Sequence, residues 1–155
     1  MGSYHTSAQV KSGSFNFMLK MMLSNGTPAI NVPEAAKNFG EFVFFDAREK
    51  EEYNVSHIRN ARYAGFNDFD LSNIADVNKH QPIVVYCSIG KRSEHITLKL
   101  KKAGYTNVQN LYGGIFEWVN EGHPVYNQFN NTTDSVHAYS RFWGRWLDRG
   151  VKVYE

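Results

Sequence analysis

Cysteine is nearly absent from this chain: of 155 residues only Cys87 carries a thiol. A single thiol closes no intrachain disulfide, so the fold is not stapled and the sulfur stays open to reaction. There is also no resolving cysteine, so anything carried on Cys87 has to leave to an acceptor outside the chain. Long apolar runs are missing too. A membrane-spanning helix needs roughly eighteen or more apolar residues, whereas the nearest candidate, residues 15–23, is interrupted by Asn16 and Lys20. Its centre is also too polar for an export signal. Met1-Gly2-Ser3 reads as a scar of recombinant expression. The expected location is cytoplasmic, with a periplasmic or exported one open if a leader was removed.

Metal and nucleotide signatures are lacking as well. The six histidines, at 5, 57, 80, 95, 123 and 137, form no His-x3-His pair, and no Cys-x2-Cys exists. No metal site is expected. Neither a Gly-x4-Gly-Lys-Ser/Thr loop nor a Gly-x-Gly-x-x-Gly turn occurs, so no cofactor is implied. A formal net charge of +2 is close to balance and gives no reason to expect nucleic acid as a partner. What is present is an ordinary globular composition, 42% hydrophobic and 21% charged, at a length that suits one domain.

The chain is organised around residues 82–103. Ile83-Val84-Val85-Tyr86 is an apolar run of β-formers, and Ile96, Leu100 and Ala103 recur on one helical face before Gly104. This reads as strand, tight loop, helix, with Cys87 at the junction. Backbone N–H groups at a helix N-terminus, with the positive end of its dipole, make an anion site. Lys91 and Arg92 add two cations. The expected product is a nucleophilic Cys87 cradled as an anion.

The loop Cys87-Ser88-Ile89-Gly90-Lys91-Arg92-Ser93 has the spacing Cys-x4-Arg. In this it resembles the rhodanese (sulfurtransferase) family, whose single-cysteine loops have this length and often read Cys-x-x-Gly-x-Arg-Ser. Related phosphatase loops carry one residue more, a size suited to phosphate, and here that next position is Ser93. Further residues extend the resemblance. Asp46-Ala47-Arg48 follows the apolar run Phe42 to Phe45, and Ser56-His57-Ile58 stands where the family has Gly-His-Ile. Leu111-Tyr112-Gly113-Gly114, Trp118 and Gly122-His123-Pro124 match its closing pattern. The resemblance implies an α/β fold with a mainly parallel central sheet of about five strands flanked by helices. Alternating strand and helix signals along the chain point the same way, and ligands of such sheets bind beyond the carboxyl ends of strands, where Cys87 falls.

Read in order, residues 1–14 are expected to be a loose tail, residues 15–23 a short helix, and residues 29–32 a first strand, with Pro33 opening a helix. Residues 61–64 suggest another strand and residues 68–77 a weak turn capped by Asp70 or Ser72. Residues 107–111 read as a last strand, followed by a helix carrying Ile115, Trp118 and Val119. Three parts result: 1–28, tail and short helix; 29–126, rhodanese-like domain; 127–155, an extension. Within the extension, 127–134 reads as a polar linker and 135–149 as a helix. Tyr139, Phe142 and Trp146 share one face of it, and Gly150 is its stop. So much aromatic surface has to be covered. It can pack on the domain, roof the active site, or meet a second copy of the chain as a homodimer.

The function the resemblance implies is sulfur transfer: Cys87 takes a sulfane sulfur as a persulfide from a donor such as thiosulfate. It then passes that sulfur to a thiophilic acceptor, cyanide or a thiol. Backbone amides of Ser88, Ile89, Gly90, Lys91, Arg92 and Ser93 would hold the sulfur, with Arg92 and Lys91 drawing in an anionic donor. The hydroxyls of Ser88 and Ser93 either add donors or cap the helix. Asp46, Arg48 and His57 are read as a hydrogen-bonded brace of strand ends and loops. Two rival readings remain: a rhodanese-like carrier, sensing or interaction module without turnover, and a phosphatase or arsenate reductase using the same thiolate.

Overall fold

The computed structural model describes residues 8–155; the first half of the expected tail, residues 1–7, lies outside the described residues. The rest of that tail is partly docked. Val10 is buried and the Lys11 N–H donates to Glu117 Oε2 at 2.9 Å. Helix α1 (Gly13–Met22) starts at Ser12, whose hydroxyl accepts from Phe15 N, and buries Phe15 and Leu19.

Strand β1 (Ala29–Ile30) is shorter than expected, because Val32 already belongs to α2 (Val32–Lys37). Pro33 has a fixed φ and no N–H, so it suits the first helical turn better than a strand end. Next come β2 (Val43–Asp46), α3 (Lys50–Val55), β3 (Arg62–Tyr63), β4 (Ile83–Tyr86), α4 (Lys91–Lys102), β5 (Val108–Leu111) and α5 (Gly114–Asn120). The turn expected near Leu71 is a 3-10 helix, Leu71–Ile74, capped by the Asp70 side chain.

Five strands form one sheet in the order β1-β5-β4-β2-β3, every pair parallel. Ala29, Asn110, Val85, Phe45 and Arg62 form a single rung across it. The next rung places Tyr86 beside Asp46, so Cys87 leaves β4 at the carboxyl edge. Successive side chains on β4 point to opposite faces. Val84 and Tyr86 join one core with Phe44, Leu111, Phe15 and Leu19, while Ile83 and Val85 join another with Phe45, Val108, Ile96 and Leu100. Burial on both faces explains why β2 and β4 read as continuous apolar runs.

The last thirty residues correct the sequence reading. No long helix spans 135–149. Instead β6 (Val125–Tyr126) pairs antiparallel with β7 (Thr132–Thr133), and β8 (Ser135–His137) pairs in parallel with β9 (Val151–Val153). Between them lies only a short α6 (Arg141–Gly144). The physical reasons are local. Ser135 to His137 gain strand partners, Tyr139 takes a left-handed φ of 69°, and the Ser140 hydroxyl caps a fresh helix by accepting from Trp143 N. The expected linker therefore holds a strand. Val136, Ala138 and Leu147 belong to the core that contains Phe44 and Tyr86, and Trp146 stacks on Phe15 with centroids 5.5 Å apart. Among the described residues no helix is long and apolar enough to cross a membrane.

Candidate active site

The loop after β4 turns into α4 at Gly90, whose φ of 123° opens a conformation that side chains rarely adopt. This bend aims the Gly90 N–H at Cys87 Sγ, 3.1 Å away. The Ser93 hydroxyl lies 3.4 Å from the same sulfur. Among the described residues, these are the hydrogen-bond contacts to Sγ, one from an amide and one from a hydroxyl. Cys87 itself is 2% exposed.

Asn110, on the neighbouring strand β5, holds both of those groups. Its Oδ1 accepts from Ser93 Oγ at 2.6 Å and its Nδ2 donates to the Gly90 carbonyl at 2.9 Å. Helix α5 holds the other side of the loop. Ile115 N donates to the Cys87 carbonyl at 2.9 Å and Phe116 N to that of Ser88 at 3.1 Å. So close an approach is why Gly114 lacks a side chain: a Cβ there would overlap the Ser88 carbonyl oxygen.

The cations are paired. Arg92 Nη1 donates to Glu52 Oε2 at 2.7 Å and Nη2 to Oε1 at 2.8 Å, with a further bond from Nη2 to Ser88 Oγ at 3.0 Å. Burial alone would raise the Glu52 carboxyl, but its bonds to Arg92, with the charges of Arg92 and Arg48, hold it below its ordinary range. Burial likewise opposes the Arg92 guanidinium, and Glu52 outweighs it, raising Arg92. Lys91 Nζ donates to the Met22 carbonyl at 3.1 Å and to Glu94 Oε1 at 3.3 Å.

Asp46 and Arg48 pair with each other at the end of β2. Both side chains are fully buried; Arg48 Nε and Nη2 bond Asp46, and Nη2 also donates to the Ser56 carbonyl at 2.6 Å. His57 bonds the Tyr53 carbonyl through Nδ1 at 2.9 Å and stacks on the Tyr53 ring. None of these three lines the cavity at Cys87.

That cavity, about 160 Å³, is lined by Cys87, Ser88, Ile89, Lys91 and Arg92 from the loop and helix α4. Met22 of α1 and Tyr139 and Trp143 of the extension complete its wall. The Tyr139 ring lies over the Arg92 guanidinium, 5.0 Å from centroid to carbon. The aromatic segment thus both packs on the domain and walls this cavity. Sequence reasoning missed Glu52, Asn110 and Met22. Only Glu52 leaves a trace, as the residue three past Glu49 whose side chain accepts from Glu49 N at 2.8 Å.

A parallel five-stranded sheet with a thiol in a strand-to-helix loop at its carboxyl edge defines a class of α/β domain. More particularly, the chain belongs to the rhodanese-like domain family, which matches residues 31–121. A thiosulfate sulfurtransferase GlpE from Coxiella burnetii is 32% identical over 79 residues, 50% of this chain and 72% of that protein. A tRNA uridine(34) hydroxylase of Aster yellows witches'-broom phytoplasma is 37% identical over 83 residues, 50% of this chain. The match covers only 27% of that hydroxylase's length. The crystal structure of a thiosulfate sulfurtransferase from Pseudomonas aeruginosa has the same fold, with a TM-score of 0.60 at 21% identity, covering 86% of this chain and 26% of that one.

Proposed function

We propose that this rhodanese-like domain is a sulfurtransferase in which Cys87 carries the sulfur. The thiolate attacks the outer sulfur of a sulfane donor. A new S–S bond forms at Cys87 while the donor's own S–S bond breaks, its electron pair leaving on the inner sulfur; from thiosulfate the leaving group is sulfite. The persulfide is then attacked by cyanide or a thiol, and Cys87 returns to thiolate. Covalent catalysis of this kind divides one difficult transfer into two easier ones. The observation that carries the reading is the Gly90 N–H aimed at Cys87 Sγ from 3.1 Å, in a cavity with room beyond the sulfur. The Ser93 hydroxyl can turn to the sulfur as negative charge appears there. No metal or cofactor has a part in these steps.

Thiosulfate and cyanide test it: the protein should form thiocyanate, and Cys87→Ala should form none above background. Equal turnover by the variant would reject Cys87 as the carrier.

A further inference from the structure

The cations flanking Cys87 are already committed. Arg92 faces Glu52 through two hydrogen bonds, and Lys91 faces Glu94. Each of these carboxylates is itself buried, at 3% exposure. Charge beside the sulfur is therefore matched one for one before any substrate arrives. A small dianion gains most from unpaired cations; to recruit Arg92 it would have to leave Glu52 buried without its partner, which is costly.

The remaining wall is apolar. Ile89, Met22, Tyr139 and Trp143 surround the space, two of them aromatic. The volume is about 160 Å³, and an apolar cavity of about 150 Å³ is known to admit benzene. That is far more room than one transferred sulfur requires. Aromatic walls reward a flat apolar group by burial and by ring stacking.

From this we infer that the site favours sulfane donors bearing an apolar, ring-sized organic group and a single charge over the thiosulfate dianion. Tyr139 and Trp143 are the residues that set this preference. The inference rests on the sulfurtransferase reading and narrows its donor class. With an arenethiosulfonate, Cys87 thiolate bonds the outer sulfur, the bond between outer and sulfonyl sulfur breaks, and the electron pair leaves with the arenesulfinate. Charge and sulfur balance without an added oxidant.

The test compares kcat/KM for benzenethiosulfonate and thiosulfate, each with cyanide as acceptor. Donors differ in intrinsic reactivity, so the readout is the change in their ratio on substitution. Wild type should favour benzenethiosulfonate at least tenfold, and Trp143→Ala should lower the ratio at least fivefold through the KM of the aryl donor. Tyr139→Ala, at a position 52% exposed and so tolerant of truncation, should lower the ratio in the same direction. A wild-type preference for thiosulfate, or a ratio unmoved in both variants, would overturn the inference. Intact mass separates the two levels: if thiosulfate loads Cys87 at least as efficiently as the aryl donor, only the donor class fails. If neither donor adds sulfur to Cys87, the sulfurtransferase reading fails and the donor class with it.

Discussion

Glu52 and Arg92 meet fork to fork, at 2.7 and 2.8 Å, and so tie helix α3 to the first turn of α4, next to the loop that carries Cys87. Removing one partner of such a buried pair leaves the other uncompensated, a loss of about 3–5 kcal/mol. Glu52→Gln keeps one acceptor, so a loss of about 2–3 kcal/mol is expected in denaturant unfolding. The pH sign follows from the lowered folded pKa. The contribution of Glu52 is present above the ordinary carboxylate value of 4.5 and disappears as pH falls through the lower folded value. The stability gap between wild type and Glu52→Gln should therefore close on acidification.

Glu117 titrates in the opposite sense. Burial, with the neighbouring Glu121, pushes its carboxyl up to about 7 against the Lys11 N–H that lowers it. A raised carboxyl favours folding while protonated. That contribution is complete below 4.5, the ordinary value, and is lost as pH rises through about 7. Calorimetry of wild type against Glu117→Gln should show wild type losing Tm relative to the variant across that window. A flat difference would contradict the assignment.

Gly114 sits where α5 touches the loop. An added Cβ would stand 2.6 Å from the Cys87 carbonyl oxygen, on a backbone with φ of 61°. Gly114→Ala should cost about 2–4 kcal/mol of stability. It should also lower sulfur transfer in the fraction that remains folded, measured by thiocyanate formation per folded molecule.

Asn110 grips both groups that reach Cys87 Sγ: the Ser93 hydroxyl directly, and Gly90 through its carbonyl. It is a positioning residue in the proposed reaction. Losing about 1–1.5 kcal/mol of such alignment corresponds to about a tenfold fall in kcat. Asn110→Ala should show that fall with KM little changed. A change confined to KM would place Asn110 in donor binding instead.

The sheet was legible because its signal is local and two-sided. Phe42 to Phe45 and Ile83 to Tyr86 are continuous apolar runs; all but Phe42 lie in the interior strands β2 and β4, whose buried side chains enter both cores. The cysteine loop was legible for a related reason, since strand, glycine bend and helix are contiguous in sequence. What stayed hidden depends on pairs distant along the chain. Arg92 and Glu52 lie 40 residues apart and Ser93 and Asn110 lie 17 apart, and nothing local marks either pair. The extension misled for a third reason. The helical spacing of Tyr139, Phe142 and Trp146 is real, but strand pairing of Ser135 to His137 with Val151 to Val153 and the left-handed Tyr139 override it. Tertiary partners decide such segments, and propensity does not.

The central claim is that sulfur rests on Cys87. Intact-protein mass spectrometry after brief exposure to a sulfane donor, followed by fragmentation, reads this directly. The account predicts one added sulfur atom, localised to Cys87, lost on addition of cyanide and absent from Cys87→Ala. An unmodified Cys87 after treatment with both thiosulfate and an aryl thiosulfonate would contradict it.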